Sequence, residues 1–251
     1  MKWVSPRDYK GATVKPPGRN TGIVKYGLGK ALDPPPKFRT SGQDRTVIGS
    51  LLETKRLLLK PLGPEDAPML LQYALENKSW LEPWEPSHPA SYFTLEGQKH
   101  ILNQCQEDRR IEGGVLFGIF EREGEPEKLW GRISVSGIMR GIWQNGFVGY
   151  SIAGGRSGRG YMTEALNRVV QFGFDDLSLH RLQASIIPRN KPSLRVAEKC
   201  NFRYEGRALR YLRINEKWED HDIFALTVDE APLDVLQPPG RPERPQSTGA
   251  P

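Results

Sequence analysis

Residues 152–160, Ile-Ala-Gly-Gly-Arg-Ser-Gly-Arg-Gly, put four glycines and two arginines into nine positions, and apolar residues at helical spacing begin directly afterwards. So bare a backbone, set between a strand and a helix, restricts the fold more than any other stretch of the chain. Upstream, residues 147–153 read as a strand. Downstream, Tyr161, Met162, Ala165, Leu166, Val169, Val170 and Phe174 keep helical spacing to about residue 177. Residues 182–187 then form a short apolar run that ends at Pro188. Together these make one β-loop-α-β unit. A helix entered through glycine is a ready anion site, because its first N–H groups lack internal partners and its dipole favours negative charge. Arg156 and Arg159 would add charge-assisted contacts. A flexible connection between strand and helix would use the same glycines, and both readings stand at this point.

Two familiar phosphate loops do not fit. A Walker A loop ends in Gly-Lys-Ser/Thr, whereas Gly160 is followed by Tyr161 and Met162. The dinucleotide fingerprint G-x-G-x-x-G/A, begun at Gly158, meets Thr163 where Gly or Ala is required. It also opens its fold, and here three or four strands come first.

The rest of the central chain reads as mixed α/β. Residues 56–60 predict a first strand and 64–77 a helix with Pro64 near its start. A proline- and tryptophan-rich loop covers 80–89. A second helix takes 94–110, strands follow at 115–122 and 129–138, and 140–146 is a turn. A short helix at 191–200 precedes a hairpin, 202–213 and 218–228, around Asn215-Glu216. This organisation places a domain at 51–231 between two extensions. Of the 21 prolines, six lie in residues 1–50 and six in 232–251, so both ends are expected to be disordered.

The motifs come in an ordered series. Gly149-Tyr150-Ser151-Ile152 precedes Gly158-Arg159-Gly160-Tyr161-Met162-Thr163-Glu164-Ala165. Around them stand Glu76-Asn77-Lys78, Leu81, Pro83-Trp84-Glu85-Pro86, His180-Arg181, Pro188-x-Asn190-Lys191-x-Ser193, Phe202, Glu205-Gly206 and Trp218-x-Asp220-His221. The series resembles the GNAT acetyltransferases, and within them the RimJ/RimL branch, which acetylates protein N-termini, typically alanine of ribosomal proteins. The likeness covers the chain from about Arg56 to Val228. In the family pattern Q/R-x-x-G-x-G/A, Gly158 and Gly160 match, but Gly155 occupies the Q/R position with Arg156 beside it. The resemblance implies an α+β GNAT fold: a twisted, mostly antiparallel sheet of six or seven strands flanked by about four helices. It implies acetyl-CoA as co-substrate, held by Tyr150, Ser151, Ile152, Arg156, Ser157, Gly158, Arg159, Gly160, Tyr161, Asn190 and Ser193.

Acyl transfer to an amine needs a positioned thioester, a neutral amine, a stabilised oxyanion and a protonated leaving thiolate. A peptide α-amino group has a pKa near 7.7–8.0, so a weak base suffices. Glu85 is the candidate for binding or deprotonating the amine, because its aromatic and proline neighbours would exclude water and raise its pKa; the other reading is an exposed loop carboxylate. Trp84, Glu85 and Tyr150 are the substrate-side candidates, though Tyr150 also suits a buried strand position. Asn190 suits a helix cap, while the resemblance gives it the pantetheine arm and gives Ser193 protonation of the thiolate. The four histidines show no metal-binding spacing, and Cys200 reads as core.

Residues 1–50 carry ten Lys/Arg against three Asp/Glu, whereas the whole chain is only +6. With aromatic residues interleaved, this arm suits a polyanion, ribosomal RNA being the candidate, or is simply a solvated extension. No membrane-length apolar run occurs, and the two cysteines form no framework. The expectation is a cytoplasmic, metal-free enzyme, monomeric or homodimeric, whose partner is a protein N-terminus such as that of a small-subunit ribosomal protein. Two other readings remain: acetylation of a small amine, and a weakly catalytic RNA-binding or ribosome-assembly factor.

Overall fold

The computed structural model describes residues 50–123 and 128–232. The basic arm and proline-rich tail lie outside these residues, save for Ser50 and Pro232. Among the described residues one sheet holds eight strands: β1 (Leu52–Glu53), β2 (Leu57–Pro61), β3 (Val115–Glu121), β4 (Gly131–Met139), β5 (Asn145–Ile152), β6 (Arg181–Ile186), β7 (Arg203–Ile214) and β8 (Lys217–Thr227). Their order is β1-β2-β3-β4-β5-β6-β8-β7. Every pairing is antiparallel except β5 with β6, which is parallel. That exception follows from the β-loop-α-β unit, since a crossover helix returns the chain in the same direction.

Among the described residues five α-helices accompany the sheet: α1 (Ala67–Glu76), α2 (Lys78–Leu81), α3 (Leu95–Arg110), α4 (Tyr161–Asp175) and α5 (Lys191–Lys199). The mixed α+β architecture agrees with the sequence reading, but the counts are eight strands against six or seven and five helices against four. β1 is two residues long and α2 a single turn, too short for periodicity to reveal. A 3-10 turn at Pro64–Asp66 also takes the first residues of the expected helix at 64–77. Thr94 starts α3 by accepting a hydrogen bond from the Gly97 amide at 3.1 Å, a cap typically worth ~1 kcal/mol.

Alternation along the strands builds two cores, one on each face. Leu57, Leu59, Phe117, Ile119, Ile133 and Val135 turn to the α4 side, where Ala165, Leu166, Val169 and Val170 meet them. Leu62, Leu70, Tyr73, Leu102, Phe120 and Leu129 form the second core, toward α1 and α3. Burying each such side chain contributes about 1.5–3 kcal/mol, so the sheet is fixed from both faces. What positions the site is a flaw in this sheet. β5 and β6 pair only from Asn145 to Phe147, against Arg181 to Gln183. Beyond that they part, although β5 runs on to Ile152 and β6 to Ile186.

Candidate active site

The gap between the parted strands is the floor of a cleft of about 680 Å³. Val148 to Ile152 form one side of it and Ala184 to Ile187 the other. The register shows which backbone groups face the gap. The Ala153 amide still bonds the Trp130 carbonyl across to the β4 side, whereas the Ile152 carbonyl accepts from Trp80 Nε1 at 3.1 Å. Alternate residues Val148, Tyr150 and Ile152 therefore turn their amides and carbonyls away from β4 and into the opening.

At the end of β5 the glycine loop turns into α4. Gly158 and Gly160 have φ of +77° and +79°, the left-handed region that costs other residues roughly 1–2 kcal/mol. A Cβ on Gly158 would meet nothing within 4 Å, and one on Gly160 only Arg56 Nη2 at 3.6 Å. Open space thus lies above both glycines. Gly160 is the N-cap of α4 and supplies no side-chain cap, so the first-turn amides at Tyr161, Met162 and Thr163, all lining the cleft, stay available to an anion. The loop is held from below. Arg56 Nε donates to Glu164 Oε2 at 2.6 Å, its amide to Glu164 Oε1 at 2.8 Å, and Thr54 Oγ1 to the same oxygen at 2.7 Å. Burial would raise the Glu164 carboxyl, but these bonds outweigh it and hold it below the usual carboxylate range. Arg56 also stacks over Tyr161, 4.4 Å from the ring centre, and bonds the Arg159 carbonyl.

Most of the residues expected at the coenzyme do line this cleft: Tyr150, Ser151, Ile152, Arg156, Ser157, Gly158, Gly160, Tyr161, Asn190 and Ser193. Arg159 is not on its wall. Arg156 lies with its guanidinium 3.7 Å from the Trp130 ring centre, a cation–π contact. Asn190 caps α5 by accepting from the Ser193 amide at 3.2 Å. Tyr150 donates its hydroxyl to the Ser193 carbonyl at 3.0 Å, and burial pushes its phenol well above its ordinary value. Both backbone groups of Ser193 are thereby fixed at the cleft.

The opposite wall carries Trp84 and Glu85. Trp84 has the Arg189 guanidinium 5.3 Å from its ring centre. Glu85 is neither an exposed loop carboxylate nor one with a raised pKa. Its side chain is 17% exposed. Arg132 Nη2 donates to its Oε1 at 2.7 Å, and His88 Nε2 lies 3.1 Å from its Oε2. Burial alone would raise this carboxyl; the His88 hydrogen bond and the Arg132 charge outweigh it and hold it below the ordinary range. The loop does bury the carboxylate, but the His88 hydrogen bond and the Arg132 cation together reverse the shift.

Arg132, which the sequence reading did not single out, joins this site through its side chain. Its register partner across β4 and β5 is Ser151, which puts both on the α1 side of the sheet. There Arg132 Nε donates to Ser151 Oγ at 3.3 Å and Nη1 to the Tyr92 hydroxyl at 3.1 Å, and Tyr73 bonds Ser151 at 3.1 Å. Burial pushes the Tyr73 phenol up to about 12. Ser151 thus works on the Glu85 side, whereas its neighbour Tyr150 reaches α5 on the other face. An arginine inside an apolar strand, between Gly131 and Ile133, was the available clue. Cys200 is buried with its thiol pushed up to about 12 by burial, which suits core rather than nucleophile. Among the described residues no cluster of His, Cys, Asp and Glu could hold a metal, and no helix is long and apolar enough to cross a membrane.

Comparison with known proteins agrees with this geometry. The model of the acetyltransferase (GNAT) domain matches residues 56–203. The probable N-acetyltransferase YjcK of Bacillus subtilis is 36% identical over 70% of this chain and 96% of its own length. The ribosomal protein uS5-alanine N-acetyltransferase of Escherichia coli is 31% identical over 71% and 91%. Among solved structures, Mycobacterium smegmatis RimJ in complex with CoA-disulfide superposes with a TM-score of 0.68 at 27% identity, covering 75% of this chain and 90% of that one. With a splayed sheet, a glycine-entered helix and relatives matched over nearly their full lengths, the chain belongs to the GNAT acetyltransferase family.

Proposed function

We propose that this acetyltransferase uses acetyl-CoA to acetylate the α-amino group of a protein N-terminus, alanine of a ribosomal protein being the acceptor type. The observation that carries this reading is that one cleft joins a built anion cradle to a buried, charge-paired carboxylate. The cradle passes a fit test: at Gly158 and Gly160 a side chain would enter the open space that a diphosphate needs. The amides of Tyr161, Met162 and Thr163 would hold the diphosphate, with Arg156 beside it. Tyr150, with its amide and carbonyl, and Ile152, with its amide, would offer the gap's free backbone groups to the amide-bearing arm, and Asn190 its remaining side-chain amide. When bound, acetyl-CoA supplies an activated thioester.

The residues of this chain do the rest. Glu85 orients the acceptor nitrogen, and Trp84 shields it from water. Transfer forms the C–N bond, breaks the C–S bond and moves one proton from nitrogen to sulfur. Ser193, its backbone anchored by Asn190 and Tyr150, would deliver that proton. The likeness to enzymes named for ribosomal-protein alanine supports the acceptor class. Calorimetry with coenzyme A, followed by mass spectrometry of Ala- and Ser-initiated peptides beside free amines, tests it. Acetylated peptide is expected; acetylation of amines alone would replace the acceptor, and no heat with coenzyme A would end the reading.

A further inference from the structure

The role of Arg132 goes beyond this reading but rests on it. A carboxylate beside an amine stabilises the ammonium form and so withholds the lone pair that must attack. A GNAT site with a bare Glu85 on its wall would capture its acceptor in an unreactive state. The structure is built against that. Arg132, 20% exposed, spends one nitrogen on Glu85 and the other two on Tyr92 and Ser151. A buried ion pair is rarely a stability device, since well-packed apolar residues often serve as well or better.

We infer that Arg132 is a positioning residue that neutralises the field of Glu85, so that Glu85 accepts a hydrogen bond from a neutral acceptor amine instead of trapping an ammonium. Each Glu85 oxygen has one protein partner, Arg132 or His88, and a carboxylate oxygen can accept a second bond. The lowered pKa of Glu85 agrees with this division of labour, because a weakly basic carboxylate orients an amine better than it deprotonates one. Ionisable and charged groups face Glu85 from several elements, and Arg156, Lys191, Arg195 and Lys199 line the same cleft, with Arg189 over Trp84. Arg132 comes from β4, His88 from its own loop, Tyr92 from the 3-10 turn before α3, and Tyr73 from α1. Lys78 and Glu82 share a smaller neighbouring pocket with it, and His221 of β8 lines the cleft.

The test is the pH dependence of turnover at saturating Ala-initiated peptide. The kcat profile reports ionisations in the complex, and kcat/KM those of the free species. With wild type, both midpoints should fall near the peptide's own amine value. In Arg132→Gln, which keeps a donor for Glu85 but removes the charge, the kcat midpoint should rise by about one pH unit. That corresponds to about tenfold lower kcat at pH 7, without a rise in KM; the kcat/KM midpoint should stay in place. Arg132→Lys should return the kcat midpoint to its wild-type position, as should Glu85→Gln combined with Arg132→Met, which removes both charges. A coenzyme A isotherm for each variant confirms the fold independently of the acceptor. An unmoved kcat midpoint in folded Arg132→Gln, or a raised one in the double variant, overturns the role of Arg132 and leaves the N-terminal reading standing. A wild type that acetylates no peptide discards that reading and this role with it.

Discussion

The two walls of the cleft are made of different material. The coenzyme wall is backbone: glycines with positive φ, uncapped amides at the start of α4, and the unpaired edge of β5, nearly all within one stretch from Val148 to Thr163. The acceptor wall rests on side chains: Glu85 and Ser151 line the cleft, and His88, Tyr92, Arg132 and Tyr73 hold them, coming from a loop, a 3-10 turn, two strands and a helix. A backbone site tolerates sequence change so long as the conformation survives. A side-chain network depends on each member, because removing one leaves a buried partner unsatisfied.

That contrast is open to experiment. The largest effect is expected at Gly160→Asp, which puts a side chain and a negative charge into the cradle. Strain of roughly 1–2 kcal/mol should leave the fold intact, while coenzyme A affinity by calorimetry falls by about a thousandfold, some 4 kcal/mol. Unchanged affinity would remove the diphosphate from this loop. Ser193→Ala should lower kcat by about a hundredfold with coenzyme A affinity nearly unaltered; equal losses in both would make Ser193 a binding residue.

A smaller effect concerns acid stability. Because Glu85 has a lowered folded pKa, its contribution is present above the unfolded carboxyl value of about 4.3 and is lost as pH falls through the folded value. Glu85→Gln should therefore be less stable at neutral pH, with Arg132 left unpaired, yet lose less stability between about pH 5 and 3. An unaltered slope in urea titrations across that range would contradict the pairing. The mildest change should be Thr94→Ala, which removes the α3 cap outside both walls. It should cost about 1 kcal/mol in the same titrations and leave both coenzyme affinity and turnover unchanged.

The same contrast explains what could be read from the chain alone. The cradle was legible because its chemistry is contiguous: a strand, four glycines and a helix start announce themselves in order. The capping side of Asn190 was legible for the same local reason. Glu85 stands out through its flanking Trp84 and Pro86, but those neighbours suggest a raised pKa, whereas the His88 hydrogen bond and the charge of Arg132, 47 residues away, lower it. Strand register brings Arg132 opposite Ser151, and only the folded sheet sets that pairing. Arg159 is expected at the phosphates from its place in the motif; its carbonyl accepts from Arg56, and it is not among the residues lining the cleft.

The parting of β5 from β6 has a mechanical consequence. Five strands on one side and three on the other are stitched by only three residue pairs and by the helix that crosses between them. The seam between the two halves is therefore pinned at one end only, and its open end is the cleft. A molecule lodged in that seam, bonded to both edges, would serve as a ninth strand and tie the halves into one cooperative block.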